Sequence, residues 1–226
     1  MRYFTITRII GLGIAATLAG CGGSSGSPSD DVQTIAATPQ TTVGQITGFG
    51  SVYVNGVEYE TTGASYEVDD ATASDDDALA VGMVVKVQGS VNADGRTGQA
   101  DSISYDDDIE GLVENLAVDA NDPGIKTFTV MGVSIQAEQS STNFEGEDDP
   151  TFGFDTIADG DNVEVSGEFS GDVLVASYIE KQDAADDDYE AKGTVDEYND
   201  SDAFLLILRD GSRLNVEIAA GAEIPS

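Results

Sequence analysis

The side chains with the greatest capacity for chemistry in this chain are carboxylates: 43 of its 226 residues are Asp or Glu, and none is His. Without His there is no Ser-His-Asp or Cys-His triad, no imidazole base and no His-ligated zinc. The one cysteine, Cys21, excludes Cys-only metal sites and any disulfide within the chain. No Gly-rich phosphate-binding loop opens a helix. Carboxylates acting together bind hard cations or, as a spaced pair, cleave glycosidic bonds. The acids gather in runs, Asp75-Asp76-Asp77, Asp106-Asp107-Asp108 and Asp186-Asp187-Asp188. Calcium takes roughly six to eight oxygens, and Asp106, Asp107, Asp108, Asp186, Asp187 and Asp188 are the candidate ligands. Asp119, Asn121 and Gly124 match the first, third and sixth places of an EF-hand loop, but Pro123 and Val130 break its fifth and twelfth. A turn is the plainer reading there, as solvated loops are for the runs. No carboxylate pair is singled out, so no catalytic residue is assigned. Calcium is the sole cofactor considered.

The elements that would carry these acids begin after an export signal. Arg2 and Arg8 precede an apolar stretch, Ile9–Leu18, too short for a bilayer span of about 20 residues but suited to a signal peptide. It ends Leu18-Ala19-Gly20-Cys21, which resembles the bacterial lipobox. That resemblance implies cleavage after residue 20 and lipidation of Cys21, and Gly22 in the next position implies the outer membrane. Residues 21–43 form a Gly/Ser/Thr-rich tether, with a span of roughly 25 Å. From Cys21 onward the chain has 43 acids against seven bases, a formal charge of −36. Seven scattered bases cannot build a nucleic-acid surface, and anionic headgroups would repel the body.

Between the acidic runs lie segments rich in Val, Ile, Phe and Tyr with an alternating pattern. Asn55-Gly56 is a type I′ turn dipeptide. It pairs Val54 with Val57 and Val52 with Tyr59, and puts these four on one face. Phe128, Val130, Val133 and Ile135 repeat the arrangement around Met131-Gly132, although Met131 leaves the second turn type open. A two-residue turn at Asp210-Gly211 would align Leu205, Ile207, Leu214, Val216 and Ile218. Phe204, Leu206 and Leu208 then face the other way, so this hairpin either docks on the preceding unit or offers an apolar surface to another chain. The exposed tyrosines, Tyr53 and Tyr105 among them, are read as sheet packing in preference to sugar stacking.

The chain also repeats itself. Gly56, Gly132 and Gly211 stand 76 and 79 residues apart, Gly89 and Gly167 stand 78 apart, and Ile103 and Ile179 stand 76 apart. The predicted fold is all-β: tandem small antiparallel OB-like barrels at 44–106 and 107–183, then a partial third repeat at 188–226. The pattern GFGSVYVNGVEYET, then LAVGMVVKVQG, then QADSI resembles the bacterial lipoprotein repeat known as the domain of unknown function DUF5666. The resemblance implies a signal-bearing envelope protein and brings no catalytic residues.

The expected function is a lipid-anchored, non-catalytic envelope module for binding or scaffolding, with an envelope protein or polysaccharide as partner. The rivals are a calcium-dependent surface or adhesion protein and a glycan-acting enzyme. Salts separate the first two. If the runs are solvated loops, sodium and calcium chloride at equal ionic strength raise the melting temperature equally. A further calcium-specific rise that saturates marks a site.

Overall fold

The computed structural model describes residues 37–218, apart from 70, 147, 183–188, 200–202, 209–210 and 212. Cys21, the expected signal segment and Asp186–Asp188 lie outside the described residues. Among the described residues the only helix is a three-residue 3₁₀ turn, Asp76–Ala78, capped by Asp75.

The first unit comprises β1 (Thr38–Gly48), β2 (Val52–Val54), β3 (Val57–Glu60), β4 (Ser65–Val68), β5 (Ala71–Ala73), β6 (Val84–Val91) and β7 (Thr97–Tyr105). Strand β1 starts at Thr38, so the last six residues assigned to the tether belong to the barrel: Thr38–Val43 pair with Lys86–Val91 of β6. Strands run β3-β2-β1-β6-β7, and β3 pairs with β7 to close five strands into a barrel. Among these five strands the pairing is antiparallel except at that seam, where Glu58–Glu60 lie parallel to Thr97–Gln99; β4 also runs parallel to β7. The β4–β5 hairpin extends the sheet beyond β7. This is OB-like connectivity, five short strands coiled until both edges are used. The β2–β3 register is the expected one, and Val52, Val54 and Tyr59 are buried with Ile46, Val85, Val87 and Ile103.

The second unit repeats the plan with β8 (Ile109–Val118), β9 (Ile125–Val130), β10 (Val133–Glu138), β11 (Asn143–Gly146), β12 (Asn162–Ser170) and β13 (Val173–Lys181), closed by a parallel β10–β13 seam. Asn55 and Gly56 have φ of 52° and 77°, and Met131 and Gly132 have 48° and 82°. The turn type is therefore the same in both copies. Methionine accepts the left-handed backbone at a cost of about 1–2 kcal/mol, carried by the packing of the hairpin below it. Phe152, Phe154 and Ile157 from the loop after β11 are buried, Phe152 and Ile157 within the core of this barrel. Two lysines hold the loop. Lys126 donates to the Phe154 carbonyl at 2.5 Å, and Lys181 lies 2.8 Å from Asp161 and above the Phe152 ring.

The sequence segment after the second barrel needs correction on two points. Glu190–Ala191 (β14) pair with β8 and so extend the second barrel's sheet. The remaining strands, β15 (Thr194–Asn199), β16 (Ala203–Ile207) and β17 (Arg213–Glu217), form a separate antiparallel sheet equivalent to the first three strands of a barrel. Its register sets Leu206 opposite Leu214 and Phe204 opposite Val216, one residue away from a two-residue turn at Asp210-Gly211. A one-residue slip exchanges the faces of a strand. Phe204, Leu206, Leu208, Leu214 and Val216 consequently share the inner face and pack against the second barrel's core. The hairpin docks on the preceding unit.

Both landmark glycines of the repeat mark a β-bulge, between Gln88 and Gly89 in β6 and between Ser166 and Gly167 in β12. A Cβ on Gly89 would lie 2.0 Å from the Gln99 carbonyl oxygen, and one on Gly167 would lie 2.2 Å from that of Val175. Only glycine lets β6 and β7, and β12 and β13, cross closely enough to curl each barrel shut. Gly167→Ala is expected to cost about 2–3 kcal/mol in denaturant unfolding. Gly153→Ala, where a Cβ meets nothing within 4 Å, is expected to stay within about 0.5 kcal/mol. Equal midpoints for the two variants would contradict the close crossing.

Candidate functional site

The chemically distinctive groups of the molecule meet where the two barrels join. The link is short: β7 ends at Tyr105 and β8 begins at Ile109. Hydrogen bonds to β12 fix its course, because the Asp108 N–H donates to the Val165 carbonyl at 2.9 Å and the Asp108 carboxylate accepts from the Gly167 N–H at 3.0 Å. Further bonds cross directly between barrels. The Val84 N–H donates to Ser166 Oγ at 3.0 Å, and Ser177 Oγ donates to the Gly82 carbonyl at 2.6 Å. Tyr178 of the second barrel packs into the first barrel's core cluster. In the other direction the Tyr105 hydroxyl donates to Glu164 Oε1 at 2.6 Å, with both residues buried.

Tyr105 was expected to be an exposed tyrosine and is fully buried, whereas Tyr53 is half-buried. Nor is the Asp106–Asp108 run merely a solvated loop. Asp106 stays partly in solvent, Asp107 is 4% exposed, and Lys192 Nζ donates to Asp107 Oδ1 at 2.7 Å. Lys192 also lies 3.5 Å from Glu190, 3.7 Å from Asp106 and 3.9 Å from Asp69. Asp69 reaches the site from the β4–β5 turn in a left-handed backbone conformation (φ 47°), its N–H donating to the Tyr105 carbonyl. The second Glu164 oxygen accepts from the Gln182 amide at 3.0 Å. Across the strands, Glu164 stands opposite Glu110, and Glu110 stands opposite Glu190. Three glutamates thus form one row over β12, β8 and β14, where directly opposed like charges repel.

Burial dominates the electrostatics. Desolvation, resisted by Lys192, pushes Asp107 up to about 7. Desolvation with repulsion from Asp69 and Asp107 pushes Glu164 up to about 9. Asp69 rises for the same first reason, with Lys192 opposing. Burial would depress Lys192, but the charge and hydrogen bond of Asp107, with Glu190 and Asp106, outweigh it and hold the ammonium above its ordinary value. Tyr105 is raised by burial and by Glu164. Among the described residues, the arrangement places carboxylates whose neutral form burial favours around one ammonium, Lys192.

The three Asp of the link do not converge on a common point suited to calcium: one faces Lys192 and another the Gly167 amide. Among the described residues no group of three or more His, Cys, Asp or Glu is disposed to hold a metal ion. The Asp119 segment is a turn, its carboxylate accepting from the N–H groups of Asn121 and Asp122.

Sequence reading missed Glu164, Asp69, Gln182 and Lys192. Aligned on the bulge, Glu164 corresponds to Lys86, and Tyr178 corresponds to Ser102. These are outward-facing positions of the repeat. In the first barrel they are accessible, Lys86 exposed and Ser102 half-buried. In the second they are covered, because the first barrel sits on them. The available signal was an acid on β12 three residues before a bulge glycine. Lys192→Met is expected to lower stability by about 1–3 kcal/mol at neutral pH, since it strands Asp107 in a desolvated position. Adding Asp107→Asn restores part of that loss, and a double-mutant cycle in denaturant measures it.

The outer face of β6 and β7 in the first barrel forms with β4 and β5 a cleft of about 250 Å³. Ser65, Glu67, Lys86, Gln88, Ser102 and Ser104 are among its lining residues. A comparison with protein families matches residues 33–104 and 110–180 to the domain of unknown function DUF5666. No curated protein and no solved structure matches the chain. The two matched stretches coincide with the two barrels and span more than half the sequence. A tandem of closed OB-like barrels, joined through the outer face of the second, is therefore the form taken here by a member of the DUF5666 family.

Proposed function

We propose that the chain is a lipid-anchored module of the cell envelope that holds a partner on a stiff double-barrel body and performs no catalysis of its own. The observation that carries this reading is the use made of one repeated face. In the second barrel the outer surface of β12 and β13 receives a neighbouring barrel through Glu164, Ser166, Ser177 and Tyr178. Its counterpart in the first barrel is the polar cleft around Lys86 and Ser102, a surface of the same ancestry with side chains that water can reach. Hydroxyls, an amide and one ammonium suit an envelope protein or a polysaccharide, since each offers hydrogen-bonding groups at protein spacing. Cys21, in its lipobox, supplies the anchor, and the outer membrane is the proposed address. The acidic body keeps its distance from anionic headgroups.

The test follows lipid and partner together. Wild-type protein is expected to incorporate a labelled fatty acid and to partition into detergent, while Cys21→Ser does neither. Recovered from its own envelope, the labelled protein is expected to bring a partner that Ser102→Arg, which fills the cleft, fails to retain. Unlabelled wild-type protein would remove the anchor, and equal retention by Ser102→Arg would remove the cleft.

A further inference from the structure

The two barrels treat one edge of their first strand differently. Aligned on the bulge glycines, Gly44 of β1 corresponds to Gly111 of β8, each paired with the valine four residues before the bulge. The turn residues Asn55 and Met131 correspond as well, each with a left-handed φ. In the first barrel the Asn55 amide lies across Gly44, in the space a Cβ would need, and its Nδ2 donates to the Val43 carbonyl at 2.9 Å. A side chain thus takes the hydrogen bond that an added strand would require. Among the described residues, β6 is the only strand that pairs with β1 at Val43. In the second barrel Met131 has no N–H on its side chain to donate. Glu190 and Ala191 of β14 instead pair antiparallel with Glu110 and Ile109, the counterparts of Val43 and Thr42. Met131 Cγ and Tyr189 Cδ1 lie 3.2 and 3.3 Å from the place of a Cβ on Gly111. The two side chains together occupy the room that Asn55 fills alone in the first copy.

We propose that this edge is a slot for one added strand and that the turn residue sets its state: Asn55 closes it in the first barrel, and Met131 leaves it open in the second for the chain's own Tyr189–Lys192. The slot reads main chain through the edge and one ring beside the glycine. Tyr189 supplies the ring, and Lys192, three residues on, reaches Asp107 at 2.7 Å. Filling the slot fixes where the chain leaves the second barrel, ahead of the sheet whose Leu206 and Leu208 join that barrel's core. Closing it in the first barrel denies the same segment a second place to pair. The slot also accounts for a methionine where asparagine is the better turn residue. An amide at position 131 would compete with β14 for the edge.

Amide hydrogen exchange, followed by NMR in the full chain carrying Cys21→Ser, tests the slot. Met131→Asn improves the turn and supplies the competing donor, so the hairpin and the added strand are expected to respond in opposite directions. Exchange at Tyr189–Lys192 is expected to rise about tenfold, the net worth of roughly one hydrogen bond. Leu174 and Ile179, buried on β13, are expected to exchange no faster than in the parent chain. Met131→Leu keeps an apolar cover without a donor and is expected to leave exchange at Tyr189–Lys192 unchanged. Unaltered exchange there in Met131→Asn overturns the slot. Equal acceleration at β13 also overturns it, since that marks general loosening. So does a Met131→Leu chain that releases the strand as fully as Met131→Asn. Because asparagine suits this turn, a Met131→Asn chain that fails to fold counts against the slot as well.

Discussion

Closure of the barrel through one parallel seam is the constraint on which the remaining structure depends. A five-stranded sheet has two edges, and an unpaired edge invites association with other chains. Here β3 meets β7 and β10 meets β13, so both edges are consumed. Bringing the seam together requires the long β6–β7 and β12–β13 pairs to coil sharply, and the bulges at Gly89 and Gly167 supply that coil. A closed barrel then has an inside filled by Val, Ile and Tyr and an outside that evolution can dress separately for each copy. The second copy's outside became an interface and the first copy's stayed polar. The docked hairpin β16–β17 covers a further part of the second barrel with Leu206 and Leu208.

Charge is distributed with the same economy. Only seven bases follow residue 20, and three of them, Lys126, Lys181 and Lys192, are tied to internal positions. Two fasten the loop that packs into the second barrel, and the third bridges the junction. The acids far outnumber the bases, and their mutual repulsion favours solubility while opposing compaction. Exposed pairs add little stability in any case, so cations stationed beside buried or half-buried acids contribute more per residue than they would on the surface.

Much of the architecture was legible in the sequence because it rests on local rules. The I′ turn at Asn55-Gly56, the alternation around it and the spacing of the repeat all act over a few residues, and the closed barrels follow from them. The third hairpin was misread for an instructive reason. Its turn dipeptide suggested a two-residue loop, yet the pairing of Leu206 with Leu214 obeys the demand to bury five apolar side chains against the second barrel. Tertiary burial overrode turn chemistry. The junction was illegible for a different reason. Glu164 occupies a position that faces solvent in one copy and a neighbouring domain in the other, and no pattern within a strand distinguishes those two outsides. Asp107 looked like any member of an acidic run until the returning strand β14 brought Lys192 over it.

The parallel seam also orders events in time. The hairpins β2–β3 and β6–β7 join residues close in sequence, but the seam joins Glu58 to Thr97 and Ser134 to Val173, so the chain between must be gathered before either contact forms. Loop closure of that length is entropically costly and slow relative to hairpin formation. Each barrel is therefore completed only when its last strand arrives, and that strand also carries the junction residues: Tyr105 on β7, Tyr178 on β13. A chain emerging with its N-terminus first would finish the first barrel, pause with Tyr105 uncovered, and conceal it only after β12 had been made. Assembly is consequently directional, with each completed unit serving as the template on which the next one sets.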